Sequence, residues 1–93
     1  MIRFFHDNKE IDKIDFDVTD VGSINTIIIG IKNDYTRTVK IVDTKSSDPE
    51  VKILQMPSTI NPSEIKEMIV SFEPSIFRKT PLELSDIGFK VLM

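Results

Sequence analysis

The sequence predicts an all-β protein, built as one antiparallel sandwich of about seven short strands. Ile, Val and Thr together make 29 of the 93 residues. Side chains branched at Cβ favour strands because their χ1 angles are restricted in a helix. Ala is absent and Leu occurs four times, whereas helical proteins normally contain many of both. Several short segments also alternate between apolar and polar residues, with turn residues between them.

The first half of the chain contains four predicted strands, the first of which turns near His6. Residues 14–18 alternate between apolar and polar side chains, which is typical of a half-buried strand. Residues 24–32 are strongly apolar, and the prediction places Ile27, Ile29 and Ile31 on the inner face. The dipeptide at 33–34 is typical of a tight turn. Residues 36–43 alternate again, with Val39 and Ile41 inward and Lys40 outward, and residues 45–49 form a predicted loop.

The second half contains further predicted strands and one ambiguous segment. Residues 50–56 form a short strand that Pro57 ends. Residues 82–92 form the last alternating stretch, with a bulge predicted at 86–88.

Residues 61–72 fit two structures. Asn61-Pro62-Ser63-Glu64 resembles a helix start, and the apolar residues after it have helical spacing. In the competing interpretation, Met68, Val70 and Phe72 point inward from a strand, with Ser71 and Glu73 outward. Periodicity does not decide between the two for so short a run, so a helix at 61–72, and with it an α+β fold, is the alternative.

Two pairs of segments resemble a known family. Residues 16–22 (FDVTDVG) and 26–33 (TIIIGIKN) resemble the opening of the immunoglobulin-like domains of the abnormal-spindle/Hydin and major-sperm-protein type. Residues 60–64 (INPSE) and 69–74 (IVSFEP) are similar to that family's proline turn and to the strand that follows it. Asp17 and Ser63 stand where the family usually has Gly. The resemblance implies one immunoglobulin-like domain over residues 1–93, a strand at 65–72, and a binding or building role without catalysis.

Composition excludes several kinds of function. The net charge is −3, and no basic stripe indicates nucleic-acid binding. The chain has no Cys, which removes disulfides and thiol chemistry. Its longest apolar run is too short to cross a membrane, and the N-terminus lacks a signal-peptide pattern. The sequence therefore predicts no nucleic-acid partner, no membrane association and no secretion by a signal peptide.

No residue pattern predicts an enzyme or a cofactor. His6 is the single histidine, and no nucleophile is indicated for it. Asp15 and Asp17 are weak candidates for a metal site, because hard cations bind carboxylates. However, both occupy outward positions of an alternating strand, and a Gly-centred metal loop is absent from the sequence.

Function is predicted to lie in protein–protein contacts. Apolar residues at the chain ends and in the loop at 73–81 exceed what the core needs, which gives five candidate contact residues: Phe4, Phe5, Ile76, Phe77 and Arg78. High Ile and Lys without Ala also indicates an AT-rich genome. We therefore expect a small structural protein of a virion, from a tailed phage or similar particle, that docks onto itself or other virion proteins. The alternative is a cytoplasmic scaffold or chaperone-like adaptor that binds an extended peptide by β-augmentation.

Overall fold

The computed structural model describes residues 1–14, 20–75, 82–83 and 87–93. These residues contain strands and no helix, so the all-β prediction is confirmed. Ten strands lie in the described part of the chain, and six of them have five or more residues. Their bounds are β1 Ile2–His6, β2 Lys9–Glu10, β3 Lys13–Ile14, β4 Asn25–Asn33, β5 Val39–Ser46, β6 Val51–Gln55, β7 Thr59–Ile60, β8 Ile65–Phe72, β9 Leu82–Glu83 and β10 Ile87–Leu92.

The strands form two main antiparallel sheets and one small pair. The larger sheet has the order β2-β1-β4-β8-β6, the smaller one has the order β10-β5-β7, and β3 pairs with β9. From β4 to β8 the chain changes sheet at every connection, because β4, β6 and β8 belong to the larger sheet and β5 and β7 to the smaller. This alternation brings residues distant in sequence into one core.

The core combines apolar side chains from both sheets. Ile29, Ile31, Met68 and Val70 are fully buried in the larger sheet, and Val39 and Ile60 are fully buried in the smaller one. Ile27 is half-buried and packs against the same cluster. Lys40 is exposed beside the buried Val39 and Ile41. The inward positions predicted for residues 24–32 and 36–43 are therefore confirmed.

Strand β8 occupies the segment whose structure the sequence left open. Residues 65–72 pair along their whole length with β4, from Lys32 opposite Ile65 to Asn25 opposite Phe72. Met68, Val70 and Phe72 are buried, as the strand interpretation predicts. The helical alternative is wrong for the described chain, because burying these three residues on one face requires the period of two that a strand has.

The helix-start signature at 61–64 belongs to a tight turn. The Glu64 N–H donates to the Asn61 carbonyl at 3.0 Å, and Ser63 has a φ of +63°. A proline in the second position and a positive φ in the third are features of a type II turn. The Glu64 carboxylate also accepts from the Asn61 N–H at 3.0 Å. This bond has the form of a helix cap, which explains why the sequence fits both structures.

Replacing Ser63 with glycine is expected to stabilise the protein. A side chain at positive φ costs about 1–2 kcal/mol, whereas the extra freedom of glycine in the unfolded chain costs about 0.5–1 kcal/mol. Urea unfolding of Ser63→Gly should therefore show a gain of up to ~1 kcal/mol. Ser58→Gly, at a position without positive φ, is the control and should lose stability. A loss in both variants would contradict the strain assigned to Ser63.

Asn33 connects the end of β4 to two loops. Its side chain is fully buried, and its Nδ2 donates to the carbonyls of Arg37 at 2.8 Å and Ile60 at 2.9 Å. Its Oδ1 accepts from the Tyr35 N–H at 2.8 Å. These bonds hold residues 34–38 in a turn. Strand β5 therefore begins at Val39 and runs on to Ser46, later at both ends than the predicted 36–43.

A bulge interrupts the smaller sheet at a different place from the predicted one. The register shifts between Gly88 and Lys90, which pair with Lys45 and Val42 respectively. Between these two pairs, β10 advances by two residues and β5 by three. The extra residue of the bulge therefore lies on β5. Asp43, inside that interval, has a φ of +55°, which a bulge can accommodate. The bulge predicted at 86–88 is therefore wrong for Ile87 and Gly88, and Asp86 lies outside the described residues.

Candidate interaction surface

The structure places the two N-terminal contact candidates on opposite sides of β1. Phe4 packs against the core, and its ring lies 6.1 Å from that of Phe89 in an edge-on arrangement. Phe5 is half-buried, and the Arg3 guanidinium lies 5.1 Å from the centre of its ring. Phe4 therefore contributes to packing, while Phe5 belongs to the outer surface of the larger sheet. The other three candidates, Ile76, Phe77 and Arg78, lie outside the described residues.

The outer face of the larger sheet is the surface of β1, β4, β8 and β6 that points away from the core. The register gives its central positions. Gly30 lies between Phe5 and Glu67, and Ile28 pairs with Ile69. Two residues further along each strand, Ser71 lies between Thr26 and Lys52. The outer face therefore combines apolar side chains with charged ones, among them Glu67 and Lys52.

Four large apolar side chains at this face are more than half exposed. Ile28 is 54% exposed and Ile65 is 55% exposed, and Leu54 and Ile24 are more exposed still. Leu54 is the extra residue where β6 slips against β8, between Ile53 and Gln55. Isolated exposed apolar residues are ordinary, but a group on one sheet face is typical of a binding surface.

Gly30 produces a groove in the middle of the outer face. The groove is lined by Phe5, Ile28, Gly30 and Ile65 together with the polar or charged residues Asp7, Asn8, Lys32 and Glu67. A Cβ atom at position 30 would lie 3.2 Å from Cγ2 of Ile65 and 3.7 Å from Cβ of Phe5. A larger residue would therefore fill the groove and push Ile65 aside, so the glycine keeps this part of the face concave.

A second cleft lies at the β6 side of the same face. Its lining includes Ile24, Pro49, Lys52 and Leu54, with Ser71 at its base. Ser71 was predicted to point outward. It does lie on the outer face, between Thr26 of β4 and Lys52 of β6, but it is 7% exposed. The lining also includes Glu50, Glu73 and Ser75, so apolar and charged side chains together extend the outer face to its β6 edge.

Arg3 anchors a charged cluster at the other side of the outer face. Its guanidinium donates two hydrogen bonds to Glu10, at 2.9 and 3.1 Å, and one to Asp34 at 3.0 Å. Lys32 lies 3.4 Å from Asp34. The Arg3 hydrogen bonds lower the pKa of Glu10 and of Asp34, and both carboxylates raise the pKa of Arg3. These charges are paired with one another, whereas Lys52 and Glu67 lie elsewhere on the same face.

The Arg3 cluster is expected to make stability depend on pH. Because folding lowers the pKa of Glu10 and Asp34, their contribution is complete above the pKa of an unfolded carboxyl group, about 4. It disappears as the pH falls through the folded-state values. Urea unfolding should show Arg3→Met less stable than the native protein at pH 7, with the gap shrinking near pH 3. Arg3→Lys, which keeps the charge, should lose less stability than Arg3→Met. If Arg3→Met lost the same stability at both pH values, the pairing of Arg3 with Glu10 and Asp34 would not be the source of the pH dependence.

The described residues include no cluster of side chains arranged to hold a metal ion. None of the groups of His, Asp and Glu side chains in this part of the chain has the three members that a metal site would need. His6 lies at the end of β1, with its Nε2 3.8 Å from the Asp7 carboxylate. The weak metal candidates Asp15 and Asp17 lie outside the described residues.

Sequence reasoning did not select Ile28, Ile65, Leu54 or Ile24. A signal for Ile28 was present, because Ile27 and Ile29 point inward and alternation forces the residue between them outward. Leu54 had no such signal, since its exposure depends on a slip between two strands. Ile24 and Ile65 precede or begin their strands, where alternation says little.

Across residues 1–14, 20–75, 82–83 and 87–93 the chain contains no helix of the length and apolarity needed to cross a membrane. No protein-family model, no curated protein and no solved structure matches this chain.

Proposed function

We propose that the protein is a non-catalytic structural module that binds other proteins through the outer face of its larger sheet. The observation that carries this proposal is the exposed apolar group formed by Ile28, Ile65, Leu54 and Ile24. Such a group costs solubility unless a partner covers it. Gly30 supports the proposal, because a concave groove admits side chains from a partner.

We further propose that the module has an immunoglobulin-like fold. Immunoglobulin-like domains place their first, second, fifth and fourth strands in one sheet and the third and sixth in the other. The six strands of five or more residues follow that scheme. In chain order, the first, second, fifth and fourth are β1, β4, β8 and β6, which are neighbours in the larger sheet, while β5 and β10 pair in the smaller one.

The setting we propose is a virion, of a tailed phage or a similar particle, in which the module contacts other virion proteins or further copies of itself. Its support is the sequence composition together with the exposed outer face. In an assembled particle, repeated contacts bury surfaces of this kind permanently, and obligate interfaces are accordingly rich in apolar residues.

The test is association with particles purified on a density gradient from the source cells. The native chain should sediment with the particles in a constant ratio, and Ile28→Lys should lose at least nine-tenths of this association. Leu92→Lys is the matched control, because Leu92 is 51% exposed, similar to Ile28, but lies on the smaller sheet. Absence of the native chain from every particle fraction would refute the virion setting.

A second candidate function is that of a cytoplasmic scaffold or chaperone-like adaptor that binds an extended peptide. The position of β6 favours it, because β6 is the last strand on its side of the larger sheet, as far as the described residues extend. A sheet edge can add a peptide as a further strand. Recovery of one extended peptide by the purified chain, without particle association, would favour this function over the first.

A further inference from the structure

The outer face carries two opposite charges that no other described residue pairs with. Lys52 on β6 and Glu67 on β8 are both exposed. Neither forms an ion pair with another described residue, whereas Arg3, Lys32 and Lys66 on the same sheet each lie within 4 Å of a carboxylate. A partner with one acidic and one basic group at matching positions would therefore complete the charge pattern of this face.

The strand register relates these two charges through a central row of residues. Ile28, Ile69 and Gln55 lie side by side on β4, β8 and β6. Glu67 lies two residues before Ile69 on β8, and Lys52 lies beside Ser71, two residues after Ile69. A two-fold axis close to this row, passing midway between Lys52 and Glu67, exchanges the two positions. Lys52 of one copy then comes opposite Glu67 of the other, and the reverse, while Ile28 and Ile69 meet their own counterparts.

The resulting geometry agrees with the way sheets pack. Lys52 and Glu67 are offset by one strand, ~4.8 Å, and by four residues, ~13 Å. The two-fold axis is therefore tilted by about 20° from the row, and the strands of the two copies cross at about 40°, close to the ~30° of aligned sheets. Strands β1, β4, β8 and β6 have 5, 9, 8 and 5 residues and present ~430 Å² in projection, about seven-tenths of the ~600 Å² per partner at which stable interfaces begin.

We propose that the protein forms a two-fold symmetric dimer through the outer face, with Ile28 and Ile69 at its centre and two Lys52–Glu67 ion pairs across it. This inference rests on the proposed function, since it names the partner of that surface. The occupant is a second copy of the chain because a self-complementary face requires opposite charges related by symmetry, and the register supplies them.

Charge reversal followed by mixing tests the dimer. Sedimentation at micromolar concentration should show the native chain self-associating, with Lys52→Glu and Glu67→Lys each at least tenfold weaker. In each single variant, both cross-pairs would join like charges. An equimolar mixture of the two variants should recover native-like association. In the mixed dimer the introduced glutamate of one copy meets the introduced lysine of the other, and the second cross-pair is the native one.

The mixing result also separates this inference from the proposed function. Failure of the mixture to recover association, or a native chain that stays monomeric at 100 times the concentration used, would overturn the dimer. If the mixture fails to recover association while particle association is lost in Ile28→Lys but kept in both charge variants, the dimer is overturned and the proposed function stands. Circular dichroism of all variants identifies any that fail to fold.

Discussion

Replacing Asn33 with alanine is expected to destabilise the protein by about 2–4 kcal/mol, because it leaves several backbone groups without partners. The carbonyls of Arg37 and Ile60 and the N–H of Tyr35 all bond to the Asn33 side chain. Its contact with Ile60 is fully buried, so water cannot replace it. A 93-residue domain has roughly 0.05–0.15 kcal/mol of stability per residue, so the loss would be a large share of the total.

Replacing Asn33 with aspartate separates the accepting role of its Oδ1 from the donating role of its Nδ2. An aspartate can still accept from Tyr35, but its carboxylate would face two carbonyl oxygens. Folding should therefore raise its pKa above the unfolded value of about 3.9. The loss of stability in Asn33→Asp should be complete at pH 7. It should shrink as the pH falls through the raised pKa of the introduced carboxyl group.

Equilibrium urea unfolding at pH 7 and pH 4 measures both Asn33 variants. Asn61→Asp is the matched control, since Asn61 is exposed and its Oδ1 accepts from Thr38, a bond that aspartate can keep. This control should change the stability by less than about 0.5 kcal/mol. A similarly small effect of Asn33→Ala would show that the three hydrogen bonds are dispensable.

Phe72→Ala is expected to cost about 3–5 kcal/mol, the range for removing a large aromatic side chain from a packed core. Phe72 is 1% exposed and is the largest of the fully buried side chains in the described chain. It pairs with Asn25 on one side and Val51 on the other. The truncation would therefore leave a cavity at the end of three adjacent strands, where the surrounding backbone is held by sheet pairing and can collapse little.

Phe5→Ala makes the same chemical change on the outer face and serves as the control. The Phe5 ring is half-buried and contacts Arg3, so its loss should cost about 1 kcal/mol or less. Urea unfolding at low protein concentration keeps self-association out of the comparison. Equal losses for the two phenylalanines would contradict the assignment of Phe72 to the core and Phe5 to the surface.

The long strands could be predicted from the sequence because burial of one face imposes a period of two. That rule alone places Ile29, Ile31, Val39 and Ile41 inward, and it is also consistent with the strand at 65–72. It works best in the middle of a strand, where each residue has neighbours on both sides.

The ends of the strands depend on hydrogen bonds between side chains and backbone. The alternation of apolar and polar residues does not encode these bonds. Strand β5 starts three residues later than predicted, because Asn33 bonds to the backbone of Arg37 and keeps the intervening residues in a turn. The bulge fell on β5 for a similar reason, since its position depends on how two distant strands meet.

The candidate site was harder to predict than the fold, because exposure of an apolar residue depends on which sheet lies opposite. Phe4 and Phe5 are identical side chains at adjacent positions, and the sequence selected both. The structure turns Phe4 inward against Phe89 and leaves Phe5 outward. The outer face itself emerges only when β1, β4, β8 and β6, which are scattered along the chain, lie side by side.

The alternation of the chain between its two sheets sets the speed at which the protein can fold. The β1–β2 hairpin closes through the two residues Asp7 and Asn8, both with positive φ, and such hairpins form in about 1–10 μs. The central pairing of the larger sheet instead joins Asn25 to Phe72, 47 residues later. All-β domains dominated by such distant pairings fold in about milliseconds to seconds. Exposed strands and the outer face are therefore accessible to other chains for most of the refolding time.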